Sequence, residues 1–187
     1  LSADTLQVGE TVKKRIYLGD NARNSIYPGF SMVADLARCV YGPNGRTVLS
    51  TQVTGQPHAA VRALDAAKNI DDADPGINAG VQFARALCEE VNDTAGDGTA
   101  ASIIICSELL AGGLRQIASG ASPVLLKSGI LKAASVAVDY ILSHKTAVRS
   151  REDVLNVAST AAKDRYTGAL VCDALESVGW KGSISVR

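Results

Sequence analysis

The chain holds 187 residues, 47% of them hydrophobic, enough for one core or for one large and one small domain. Its 19 Lys and Arg balance its 19 Asp and Glu, which argues against nucleic acid or an anionic membrane as the main partner. No apolar run reaches the length of a membrane span, and the four widely spaced cysteines (Cys39, Cys88, Cys106, Cys172) form no CxxC pair, so they read as buried, reduced thiols rather than zinc ligands.

The opening LSADTLQVGET is polar and has no Arg-rich amphipathic pattern. It reads as a mature end left by removal of a targeting peptide, or simply as the start of the expressed chain. Arg15 to Leu18 is a strand candidate. Asp20 can cap a helix running to about Val40, with Ala22, Ile26, Phe30, Val33 and Leu36 at helical spacing and Pro28 as an internal kink. Thr47 to Val53 alternates as a strand between the GPNG turn and Gly55–Pro57. Pro75–Gly76 precedes a helix from about Asn78 to Val91. The next helix opens at the AGDGT turn and ends near Ala111–Gly113, with a shorter one over Leu114 to Ser119. Ser122–Pro123 is a cap and first-turn pair opening a helix to about Ser143. Ser150 caps another to about Ala162, Asp164 to Val178 forms the last, and Ser183 to Arg187 is strand-like. Helix dominates and no internal repeat occurs.

The stretch Asn92 to Thr99, NDTAGDGT, carries the most chemistry. A glycine-rich turn opening an apolar helix gathers unpaired N–H groups and the positive end of the helix dipole, which suits phosphate oxygens. Asp97 in that turn could hold a magnesium ion beside them. The plainer alternative is an ordinary helix start capped by Asp97 or Thr99. No Lys follows Gly98, so this is not the GxxxxGK[ST] phosphate loop. His58 and His144 stand alone, with no nucleophile at a recognisable spacing. The acidic run Asp71, Asp72, Asp74 lacks calcium-loop alternation and reads as a solvated loop. Trp180 and Tyr166 read as packing or interface residues, and Asp93 as a carboxylate behind the loop or a turn residue.

NDTAGDGTAAS resembles the nucleotide loop of the group I chaperonins, the GroEL-type proteins of bacteria and mitochondria, usually close to NDxAGDGTTT. RIYLGDNARNSIYPGFSMVADLARCVYGPNGRTVL is similar to that family's opening segment, SGASPVLLKSGILKAA to its GxNPxxLxxGIxxA helix start, and VGWKGSISVR to its VGxxGVITV segment. The resemblance runs from about Lys14 to Arg187 with few or no gaps. It implies a mainly α fold, an equatorial-domain-like helical bundle with short strands or a hairpin. Residues 1–145 would be an incomplete equatorial domain and 146–187 the start of the hinge-like intermediate domain. In the family the equatorial domain is built from both ends of a much longer chain. Apolar faces such as Ile103, Leu109, Leu125, Leu126 and Ile130 are therefore expected to lack part of their cover, at roughly 25 cal/mol per Å² left exposed.

Carried over residue by residue, the resemblance places Gly42 and Pro43 at the turn approaching adenine and phosphates, and Asp97, Gly98 and Thr99 at the magnesium and phosphate loop. Ala100 and Ala101 stand where the family has two threonines. The family's TKDG, a phosphate-side Lys and a water-orienting Asp, falls on Ala60 to Ala63, which reads AVRA, so Val61 and Arg62 replace both groups. The family's main catalytic aspartate lies beyond the matched segment. The implied cofactor is ATP or ADP with magnesium, bound weakly or not at all, with Asp97 as metal ligand, no catalytic residue and hydrolysis lost. Three roles follow: an accessory or structural subunit of a larger assembly, a part of an active ATP-driven folding ring, or a non-catalytic nucleotide-binding module. Each implies other protein chains as partners, in a homo- or hetero-oligomer. The family implies the mitochondrial matrix, or the cytoplasm in a bacterium.

Overall fold

In the computed structural model, the described residues are 16–50, 58–60, 62–68, 70–179 and 182–185. They form two compact units that divide between Ser128 and Gly129.

The first unit is built on α1 (Gly19–Val40), α3 (Pro75–Ala95) and α4 (Thr99–Ala118). Phe30, Val33, Ala34, Ala37 and Val40 recur at helical spacing on α1 and are buried. They pack with Val81, Ala84 and Cys88 of α3 and Ile103 of α4. The short α2 (Ala63–Ala67) adds Ala63, Leu64 and Ala67 to the same core. Strands β1 (Val48–Ser50) and β2 (His58–Ala60) pair antiparallel, with Val48 opposite Ala60. Helix α5 (Pro123–His144) begins in this unit, continues into the second and buries none of its residues.

In the second unit, α6 (Arg151–Ala162) and α7 (Arg165–Val178) close over Val154, Leu155 and Cys172. Both ends are fixed locally. Ser150 caps α6 in a capping box with Asp153, and Asp164 caps α7 by accepting from the Thr167 N–H at 2.7 Å.

The mainly α architecture with a short hairpin is as the sequence implied, but several elements differ. Leu18, not Asp20, precedes the first helical residue, and Asp20 instead pairs with Arg23. Residues 16–18 and 182–185 carry no regular structure; Arg15, Trp180, Val186 and Arg187 lie outside the described residues, as do 51–53 of the expected strand. Helix α4 runs straight through Gly112–Gly113, so the separate helix over Leu114–Ser119 does not exist. Each glycine costs about 1 kcal/mol of helix propensity, and packing overrides that.

Helix α4 is also long and apolar enough to cross a membrane by length and composition, which corrects the expectation that no apolar run reaches that length. Here its Ile103 and Ser107 are buried in the core of the unit. Of the five residues expected to lack cover, Ile103 is therefore fully buried, because α1 and α3 roof it. Leu109 and Leu125 are exposed, and Leu126 and Ile130 are half-buried.

All four cysteines are free thiols, but only Cys88 and Cys172 are buried; Cys39 is exposed. Burial raises the Cys88 thiol to about 11. A raised thiol favours the folded state below the free-thiol range, and that stability is lost as pH climbs toward 11. Maleimide at pH 7.5 is therefore expected to label Cys39 within minutes and leave Cys88 unmodified until the chain is denatured; mass spectrometry of the labelled peptides reads this directly.

Candidate functional site

The glycine turn of the motif is a stop followed by a start. Gly96 adopts φ +72° and ends α3, its N–H bonded to the Asn92 carbonyl at 2.8 Å. Gly98 adopts φ +86° and is the residue before α4. Non-glycine residues are strained at such angles. Nothing lies within 4 Å of where a Cβ would stand on either glycine, so the outer face of the turn is open.

Neither Asp97 nor Thr99 caps α4, against the plainer sequence reading; Gly98 holds the cap position and no side chain completes it. The exposed Asp97 carboxylate instead accepts the Gly98 N–H at 2.6 Å. The first intrahelical bond of α4 runs from the Ser102 N–H to the Gly98 carbonyl. Hence the N–H groups of Thr99, Ala100 and Ala101 have no acceptor within the helix. An open glycine turn with uncapped donors fits a phosphate group. Among the described residues no three His, Cys, Asp or Glu converge. A magnesium ion at Asp97 would accordingly take its remaining ligands from phosphate and water.

The second predicted element is the turn after α1. Gly42 sits at φ +80°, the Gly45 N–H bonds the Gly42 carbonyl at 3.1 Å, and the Arg46 N–H bonds the Cys39 carbonyl at 2.8 Å. Pro43 is exposed at its tip. Ser25 lies beside Gly76, and Ile26 and Phe30 lie against Gly80, so α1 and α3 run in the same sense. Helix α4 turns back at Gly96–Gly98, and the Arg38–Glu108 ion pair at 2.6 Å ties the last turn of α1 to its middle. Both glycine turns thus follow helix ends pointing one way.

At the segment resembling TKDG, Ala60 closes β2 and Arg62 immediately precedes α2. Val61 lies outside the described residues. Arg62 makes a two-pronged hydrogen bond to Asp65, Nε to Oδ2 at 2.8 Å and Nη2 to Oδ1 at 3.2 Å. That bond holds the Asp65 carboxyl below its usual range and raises Arg62 further. The sequence reading passed over Asp65, although its three-residue spacing from Arg62 in a helical start was a readable signal.

Arg85 was also missed. Its guanidinium gathers the Ala67, Lys68 and Ile70 carbonyls and the Asp71 carboxylate, fixing the α2–α3 loop. Asp72 and Asp74 serve that loop too: Asp74 caps α3 and Asp72 accepts the Asp74 N–H. Among the described residues, two hollows lie elsewhere. One of about 590 Å³ is lined by α5 alone, from Lys132 to Ile141, and is a surface trough rather than an enclosed site. One of about 290 Å³ lies between Arg149, Arg151, Cys172 and Glu176. Neither is lined by Gly42, Pro43, Asp97, Gly98 or Thr99. Tyr166 is 73% exposed and lies outside the core of the second unit.

The model of the TCP-1/cpn60 chaperonin family matches residues 33–183. Chaperonin GroEL 1 of Mycobacterium leprae (strain TN) is 35% identical over 176 residues, covering 94% of this chain and 33% of that protein. The crystal structure of a group III chaperonin in the open state matches 83% of this chain and 31% of its own, with TM-score 0.71 at 19% identity, a likeness of fold. The chain spans about a third of the length of these relatives.

Proposed function

We propose that this chain, which belongs to the TCP-1/cpn60 chaperonin family, serves as an accessory subunit of a larger protein assembly and does not hydrolyse ATP. The observation that carries this reading is Arg62. At the position where the resemblance implies a water-orienting aspartate stands a guanidinium, committed to Asp65 at 2.8 Å. A guanidinium stays protonated and has no lone pair with which to accept a proton from water. Phosphoryl transfer rests on positioning and charge stabilisation, and a cation at this position removes the orienting acceptor. The assembly role is supported by α5, which leaves Leu125, Val136, Tyr140 and Ile141 exposed along one helix.

A second reading, a nucleotide-binding module without turnover, is favoured by the open Gly96–Gly98 turn and the uncapped start of α4. Bound nucleotide would lay its phosphates on the Thr99–Ala101 N–H groups, with a magnesium ion at Asp97.

Phosphate release by the purified chain with magnesium and ATP tests both readings. The expected rate equals that of the Asp97→Ala variant. Binding of a fluorescent ATP analogue without turnover would select the second reading. Brisk magnesium-stimulated release abolished by Asp97→Ala would overturn both and assign the chain to an active folding ring.

A further inference from the structure

We infer that the face of α5 between Lys132 and Ile141 is covered by the same face of a second copy of this chain, the two helices packed antiparallel. The inference rests on the assembly role proposed above and names the partner. The trough on this face, about 590 Å³, is lined by Lys132, Ala133, Val136, Ala137, Tyr140 and Ile141. Those residues recur in pairs four apart, which places them along one side of the helix. Val136, Tyr140 and Ile141 are 69%, 63% and 64% exposed, and α5 buries none of its residues. So long an apolar stripe on a helix that buries nothing marks a protein interface.

Charge selects the occupant. From Gly129 to Leu142 the only charged residues are Lys132 and Asp139. Both are exposed, and among the described residues neither has an ion-pair partner. Seven residues fall about 20° short of two full turns, so the two charges share one edge of the trough, about 10 Å apart and too distant to pair with each other. Antiparallel helices present the same edge to one another. A two-fold axis level with the Ser135–Val136 peptide therefore brings Lys132 of each copy opposite Asp139 of the other, using one patch twice. A parallel copy would set that edge against the uncharged one and leave all four charges unpaired. Edge charges choose helix orientation in this way. The antiparallel register also sets Tyr140 level with the gap between Gly129 and Ala133 of the other copy. Both residues are small, and nothing lies within 4 Å of where a Cβ would stand on Gly129, so the phenol ring has room.

Sedimentation equilibrium of the purified chain, at about 5 to 200 µM, tests this, with Lys132→Asp, Asp139→Lys and the double variant alongside. Wild type is expected to be a dimer with a micromolar Kd. Each single reversal sets like charges against each other at both contacts and weakens the dimer about tenfold. The double reversal restores both pairs in the swapped sense and returns Kd to within about threefold of wild type. An equal mixture of the two single variants also dimerises, because each supplies the charge the other lacks. A monomer at every concentration overturns the inference. So does a dimer that the single reversals leave unmoved, since it would use another surface. Phosphate release separates this failure from that of the accessory role: a monomer without turnover overturns the present inference alone, and turnover abolished by Asp97→Ala overturns the accessory role itself. Lys132 and Asp139 lie at the surface, so the variants are read against an unchanged circular dichroism spectrum.

Discussion

Replacing Gly80 with alanine is expected to part α1 from α3 and unfold the core of the first unit. A Cβ there would stand 1.9 Å from the Ile26 carbonyl oxygen and 2.9 Å from the Phe30 nitrogen. Those are backbone atoms, so no rotamer change relieves the clash and one helix must withdraw. Gly29 presents the reciprocal contact, with its would-be Cβ 1.9 Å from the Ile77 carbonyl oxygen. Withdrawal loosens Phe30, Val33, Val81 and Cys88 together, because all four are buried at that crossing. The loss should be on the order of 4 kcal/mol, a large share of a domain's net stability. Urea denaturation followed by far-UV circular dichroism measures it; a midpoint equal to wild type would mean the two helices do not meet at these glycines.

The second large effect is expected at Gly168. A Cβ on it would meet Ser159 Cα and N at 2.6 Å and Oγ at 2.3 Å. The core beneath is only Val154, Leu155 and Cys172, with Ala169 and Leu175 beside it, so there is little reserve to absorb a displaced helix. Gly168→Ala should cost on the order of 3 kcal/mol. It should abolish hydrogen-exchange protection at Leu155 and Cys172 while Val33 and Val81 stay protected. Loss of protection at all four would contradict a division into two units with separate cores. Arg151, paired with Asp173 and Glu176 across α6 and α7, will not rescue the variant, since exposed pairs contribute about 0–1 kcal/mol.

Helix starts governed by local chemistry could be read from sequence. Ser150 and Asp164 cap in place, and the helix at Pro123 begins where its Ser–Pro pair put it. The two glycines of AGDGT could be read as turn residues for the same reason, since only a positive φ lets the chain stop and restart within three residues. What failed depended on tertiary context. The five residues of α2 are too few to show a period, and β2 exists because it pairs with β1, not because His-Ala-Ala favours a strand. The burial of Ile103 required knowing that α1 and α3 roof α4. At the candidate site, residue types were readable, but the Asp65 partner of Arg62 and the cap at Gly98 in place of Asp97 or Thr99 emerged only from geometry.

The shared direction of α1 and α3 bears on how the chain reaches its native state. Helices that run the same way cannot be joined by a tight turn, and here the hairpin and α2 intervene before Gly29 can find Ile77. The α6–α7 pair needs only the short bend at Lys163 and Asp164. Contacts between distant segments wait on the slow search that closes the intervening loop, whereas neighbours collapse quickly. A refolding experiment should therefore see the α6–α7 hairpin mature first, with the glycine-notched crossing of α1 and α3 as the late, rate-setting event.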